Sequence, residues 1–344
     1  MGCGCVSLLL RSFSTQRAVC SPVTEHVSAT LPMGAAWGRG RSSPGGPARV
    51  VRAFACLLVA CPVCLGGTEV PMDVIGRVVF VDARVNGQGP FRFILDTGAS
   101  ETVITPRLAK QLGVRSLQVS ARQSKGRVDS VAVGKATVED LPVYVYDPPQ
   151  ALPLRLDKGV NYHGLLGYTF LRHFVTTVDY ADRKVRLRLA KARRPPRPGP
   201  PGPDETRVPF TLRGNLAYVR GSVNGRGPVT FLFDTGSAEI LIWPHVAESL
   251  GLSTAPMPRY RNTAFARIEE LGLGSATATN LPAIVRPAPA RPPGNRYHGI
   301  LGYPYLSQFS VTVDYRSRVV TLAKKKPAHG PGPRLRLRPA AAGN

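Results

Sequence analysis

The sequence repeats itself, and this limits the fold more than any other feature. Val70-Pro71 recurs as Val208-Pro209, Val85-Asn86-Gly87-Gln88-Gly89-Pro90 as Val223-Asn224-Gly225-Arg226-Gly227-Pro228, and Asp96-Thr97-Gly98 as Asp234-Thr235-Gly236, all at an offset of 138 residues. Farther along, His163-Gly164-Leu165-Leu166-Gly167 recurs as His298-Gly299-Ile300-Leu301-Gly302, and Val178-Asp179-Tyr180 as Val313-Asp314-Tyr315, at an offset of 135. The order of segments is kept and three residues are lost between them, which marks a duplicated domain. A length of 344 residues accommodates two such domains.

Punctuation around the copies sets the boundaries. The copies occupy 68–190 and 208–323, with 191–207 between them, where prolines stand at 195, 196, 198, 200, 201 and 203. Such a segment runs as polyproline II at roughly 3.1 Å per residue, so about a dozen residues reach on the order of 35 Å, enough to bring one copy to face the other. After 323, Lys324, Lys325 and Lys326 and then Arg334, Arg336 and Arg338 among Pro and Gly predict a basic, unstructured tail over 324–344.

Residues 1–67 differ in kind. All six cysteines lie there, the last being Cys64, so neither disulfides nor a thiol nucleophile nor a cysteine zinc site serves the repeated part. Cys61-Pro-Val-Cys64 has the spacing of a redox motif but lacks its strand–helix setting. Arg49 and Arg52 precede an apolar run over 53–60, and Leu58-Val59-Ala60-Cys61 resembles a bacterial lipobox. This reads as an export signal with Cys61 as the lipidation candidate, giving a periplasmic or membrane-anchored bacterial lipoprotein. The run is too short to span a bilayer. Met33 would give a more ordinary signal than Met1. The formal charge is +24, from 45 Lys and Arg against 21 Asp and Glu. Basic and aromatic residues do not share one folded face as a nucleic-acid module requires, so the charge reads first as an arginine-rich surface with no binding role, and, where it has one, as attraction to anionic surfaces such as lipid headgroups.

Within each copy the dominant period is two. Phe91, Phe93 and Leu95 alternate into the first Asp-Thr-Gly, and Val229, Phe231 and Phe233 into the second, while Val-Asn-Gly-X-Gly-Pro upstream carries hairpin-turn chemistry. A short helix is expected after each Asp-Thr-Gly. Thr105 would cap the first, with Pro106 at its first position and Gly113 at its end, and Pro244 and Gly251 bracket the second. The fold class is all-β with short helices.

A lone Asp-Thr-Gly is an ordinary turn. Here it occurs twice, each time ending an alternating strand, and each time followed by an apolar pair and glycine, 71 residues later in one copy and 68 in the other. On these motifs, residues 70–190 and 208–323 resemble the retropepsin-like aspartic proteases, particularly bacterial tandem members. The resemblance implies two β-barrel lobes forming a pseudo-two-fold, pepsin-like unit. It also implies catalysis by Asp96 and Asp234 as one dyad, with neither metal nor cofactor and with a peptide or protein substrate. Two carboxylates about 3 Å apart cannot both ionise, so one keeps a proton while the other acts as base. Thr97 and Thr235 would bond across the lobe interface, and Gly98 and Gly236 would let the backbone turn and aim its N–H groups at the carboxylates. Flaps in this family are glycine-rich, whereas the corresponding stretches, 119–128 and 258–268, hold only Gly126. His163 and His298 read as packing or loop-bonding residues, with a ligand or pH-sensing role as the alternative. Two other readings stay open: a pseudo-protease that binds peptides without cutting, and a protease active only as a dimer of chains.

Overall fold

Asn-Gly turns fold alternating strands back on themselves. Strands Val78–Val85 and Gln88–Leu95 pair antiparallel and meet at Asn86 and Gly87, whose φ angles of 51° and 74° are those of the type I′ turn that matches strand twist. Asn224 and Gly225, at 49° and 72°, do the same between Leu216–Val223 and Arg226–Phe233. The computed structural model describes residues 67–120, 123–147, 161–190, 202, 204–288 and 297–324. Cys61 and the export segment, most of the Pro-rich stretch and the basic tail beyond Lys324 lie outside the described residues.

Each copy of the repeat forms one lobe. In the first, eight strands follow the spatial order Asp73–Ile75, Val78–Val85, Gln88–Leu95, Gly164–Leu166, Val103–Ile104, Ala136–Val145, Gln123–Val133 and Ser116–Ser120. A further pairing between Val78–Val85 and Gln123–Val133 curls the sheet toward a barrel. The second lobe has the same order and the same extra pairing. Phe91, Phe93 and Leu95 point into the main core, as the alternation predicts. Ile94, between them, is buried too, because the other face of its strand packs against Val78, Phe80, Val103, Leu165 and, from the second lobe, Ala238.

A third sheet joins the lobes. Its six strands run Thr68–Pro71, Lys184–Leu189, Phe174–Asp179, Phe309–Asp314, Val319–Lys324 and Glu205–Pro209, three from each lobe. At its centre Thr177 faces Thr312, its own repeat equivalent, with their hydroxyl oxygens 2.8 Å apart. An equivalent pair facing itself marks the pseudo-two-fold axis. Glu205–Pro209 starts within the stretch assigned to the linker, because its backbone pairs with Val319–Lys324.

Helix Pro106–Gln111 is capped as expected: the Leu108 N–H donates to Thr105 Oγ1 at 3.3 Å, and Gly113 follows with φ of 64°. Pro244–Ser249 is its equivalent, followed by Gly251 at 65°. Single-turn helices Tyr168–Leu171 and Tyr303–Leu306 follow the two Gly-apolar-Leu-Gly segments.

Candidate active site

Strand order dictates where each Asp-Thr-Gly must lie. Gly164–Leu166 is inserted between Gln88–Leu95, to which it is parallel, and Val103–Ile104, to which it is antiparallel. The chain leaving Leu95 therefore has to arch over the end of Gly164–Leu166 before it can return as Val103. Asp96 begins that arch, with its N–H donating to Leu166 O at 3.1 Å, and Asp234 does so in the second lobe toward Leu301 O, also at 3.1 Å. The single-turn helices close each loop from behind, as the Tyr168 N–H reaches Ala99 O and the Tyr303 N–H reaches Ser237 O, both at 2.9 Å.

The two arches are locked to each other by their threonines. Thr97 Oγ1 donates to Phe233 O at 2.9 Å and accepts the Thr235 N–H at 3.0 Å. Thr235 Oγ1 donates to Leu95 O at 2.7 Å and accepts the Thr97 N–H at 3.1 Å. Both threonines are almost wholly buried. These four bonds satisfy four backbone groups, two N–H and two C=O, that the crossing would otherwise strand away from water. The sequence pointed to a bond between the threonines, and the bonds to the opposite lobe's backbone carbonyls are what the structure adds.

Across this lock the Asp96 and Asp234 carboxyls lie within hydrogen-bonding reach of each other. The Gly98 N–H donates to Asp96 Oδ1 and the Gly236 N–H to Asp234 Oδ1, both at 2.8 Å. The glycines are required by space: a Cβ at Gly98 would fall on the Asp234 carboxylate, and one at Gly236 on that of Asp96. Each glycine thus serves the opposite aspartate by its smallness and its own by its N–H. Both aspartates are half-buried. Burial, then the charge of Asp234 and a hydrogen bond to it, push the Asp96 carboxyl well above the usual aspartate range, against the N–H groups of Gly98 and Ala99.

Tyrosines surround the pair. Tyr146, half-buried, lies within electrostatic reach of Asp96, and burial followed by that charge raises its hydroxyl pKa. Below, Tyr168 stacks edge-on against Tyr315 of the other lobe at 5.1 Å, and Tyr180 against Tyr303 at 5.6 Å. The buried hydroxyls of Tyr180 and Tyr315 find no hydrogen-bond partner among the described residues, and both are held in the protonated form by burial and by the nearby aspartate charges. The histidines turn out to be strand fasteners: His163 Nδ1 accepts the Arg92 N–H at 3.1 Å, and His298 Nδ1 accepts the Thr230 N–H at 2.9 Å. Among the described residues, no group of three or more His, Cys, Asp or Glu is placed to hold a metal ion.

Hairpins form where flaps were sought, despite the missing glycines. Ser116–Ser120 pairs with Gln123–Val133, and Thr254–Pro256 with Ala264–Leu273. Of five exposed large apolar residues among those described, Leu117, Val119, Tyr260 and Phe265 belong to these two hairpin regions. Exposed apolar side chains are thus concentrated in these two regions.

The aspartyl protease family model matches residues 81–170 and 219–305, one segment in each lobe. Among solved structures, the aspartic proteinase from Irpex lacteus aligns with a TM-score of 0.46 and 12% identity, over 76% of this chain and 98% of that one. No curated protein matches the sequence. With matches over both lobes, each spanning its Asp-Thr-Gly loop and the Gly-apolar-Leu-Gly strand behind it, the chain belongs to the retropepsin-like aspartyl protease family.

Proposed function

We propose that this chain is an aspartic endopeptidase in which Asp96 and Asp234 act as one dyad within a single chain. The observation that carries the reading is the pair of neighbouring carboxyls, each beside the opposite loop's glycine and one raised well above its ordinary range, on loops that the reciprocal threonine bonds hold in register. With one proton shared between them, the ionised carboxylate takes a proton from water as its oxygen attacks the peptide carbonyl carbon. The protonated partner gives its proton to the carbonyl oxygen, forming a neutral tetrahedral diol. Collapse of that diol returns a proton to the dyad and delivers one to the leaving nitrogen, so the pair ends with the single proton it began with.

The test is hydrolysis of a peptide library by the wild type, Asp96→Asn and Asp234→Asn. Each variant is expected to lose nearly all activity while folding normally, since half a dyad has no acid–base partner. A single variant keeping most activity would refute the shared dyad. A folded wild type that binds peptides without cutting them would leave a pseudo-protease. Activity that falls on dilution would mean that lobes pair between chains.

A further inference from the structure

The repeat makes it possible to ask where the two walls beside the dyad differ. Residues 136–146 and 276–286 are equivalent, at an offset of 140. Strand Ala136–Val145 pairs in parallel with Val103–Ile104, and Ala276–Val285 with Ile240–Ile242, in matching register. The residue after each strand is tied alike: the Tyr146 N–H donates to Ile104 O at 3.3 Å, and the Arg286 N–H to Ile242 O at 3.2 Å. A second equivalent pair is Ile75 and Arg213, opposite Val78 in one lobe and Leu216 in the other.

In the first lobe, Ile75 and Tyr146 pack on the same small apolar cluster, which includes Leu165 and reaches Ala238 across the seam. The same cluster takes in Ala99 and Ala238, which follow Asp96 and Asp234 on their loops, so that wall adjoins the dyad. In the second lobe the two positions hold Arg213, exposed, and Arg286, half-buried. Neither guanidinium has a hydrogen bond or ion pair among the described residues. One wall is therefore aromatic and aliphatic, while its symmetry mate presents two cations that no acid among the described residues pairs with.

We propose that Arg213 and Arg286 form an anion subsite that takes a carboxylate side chain of the substrate on one side of the scissile bond, opposite an apolar or aromatic residue held by Ile75 and Tyr146. This rests on the reading of Asp96 and Asp234 as the dyad. A guanidinium offers a planar fork matched to a carboxylate, and a formal charge of +24 on the chain favours encounter with acidic peptides.

The experiment uses C-terminally amidated peptides in which Glu or Gln is placed in turn at each position flanking the cleaved bond, with a parallel set bearing free C-termini. For the wild type, Glu is expected to raise kcat/KM about tenfold over Gln at positions on one side only, the scale of one charge-assisted bond. That ratio should approach one in the Arg213→Ile, Arg286→Tyr double variant and shrink as salt rises. Binding of the same peptides to Asp96→Asn, read by fluorescence anisotropy, gives the ratio without turnover. Absence of hydrolysis with the Glu preference kept in binding would count against the dyad alone. A Glu-to-Gln ratio near one at every position, or one unchanged by the double variant, overturns the subsite. A gain found only with free C-termini overturns it as well, because the cations would then be reading a chain end.

Discussion

Arg77 of the first lobe reaches across to Glu239 of the second, Nη1 to Oε2 at 3.3 Å, and the repeat breaks its own symmetry in making this contact. The equivalent of Arg77 is Asn215, whose Nδ2 donates to Ser100 O at a long 3.4 Å, and whose amide favours the ionised form of Glu101, the equivalent of Glu239, against the burial that pushes that carboxyl up. Arg77 has φ of 70°, a left-handed conformation that costs most non-glycine residues roughly 1–2 kcal/mol, whereas Asn215, at 66°, is of the type that tolerates it. An arginine held there points to the ion pair as the compensation.

Substitutions at Arg77 should therefore separate the two effects. Arg77→Met loses the bond to a nearly buried carboxylate, about 1.5–3 kcal/mol for a charged hydrogen bond, toward the lower end because the arginine side chain is 34% exposed. Arg77→Asn loses the same bond but relaxes the backbone, so it should cost measurably less. Urea unfolding midpoints for both variants and for Asn215→Ala decide this. Equal losses for Arg77→Met and Arg77→Asn would remove the strain argument.

What could be read from the sequence was what both copies state or what local punctuation marks. Asp96 and Asp234, the Asn-Gly turns and the caps at Thr105 and Gly113 were legible because each is a local pattern that occurs at a fixed offset or position. The Thr97–Thr235 lock was legible as a pairing, but not in its carbonyl acceptors, since the partners lie 136 and 140 residues apart and backbone atoms leave no trace in sequence. Arg77–Glu239 was missed for the opposite reason: residues that differ between copies fall out of a repeat comparison. The hairpins were underestimated because glycine content was taken as their signature, whereas pairing with Ala136–Val145 and Ala276–Val285 holds them regardless.

The tyrosines beneath the dyad offer a contrast in hydrogen bonding. Tyr305 OH, buried, donates to Ala276 O at 2.7 Å, so Tyr305→Phe should cost about 1 kcal/mol. The hydroxyls of Tyr180 and Tyr315 have no such partner among the described residues, and Tyr180→Phe or Tyr315→Phe should leave stability unchanged or raise it slightly. Unfolding free energies of the three variants give the comparison. A loss at Tyr180 or Tyr315 as large as that at Tyr305 would show that the hydroxyl is satisfied in solution.

The raised Asp96 carboxyl fixes a sign for the pH dependence of stability. Between the ordinary aspartate value, about 3.9, and the raised native value, the folded protein holds a proton that the unfolded chain has released. Stability from this group is thus full below the ordinary value and is lost as pH rises through the native one. Asp96→Asn removes the carboxyl, so it should exceed the wild type in stability at neutral pH and lose that advantage in acid. Denaturant midpoints across a pH series test this, and a wild type that gains stability relative to Asp96→Asn on going from acid to neutral pH would reverse the assignment.

Finally, the lobes should fail when separated. The central ladder of the six-stranded sheet pairs Phe174–Asp179 with Phe309–Asp314, and the threonine lock needs one residue from each side. A first lobe cut within 191–203 would bare a strand edge at Phe174–Asp179 together with the apolar surface around Tyr168, which Tyr315 covers in the intact chain. Open edges and uncovered apolar faces recruit other chains, so the isolated lobe should pair with itself or aggregate. Mixing the two lobes should restore hydrolysis, with a dependence on concentration that the intact chain lacks, because the short tether supplies a high effective concentration. Activity and sedimentation, measured for each lobe, the mixture and the intact chain over a wide dilution series, distinguish the cases. Full activity from one dilute, monomeric lobe would mean that a single aspartate suffices, and the two-lobe site would have to be abandoned.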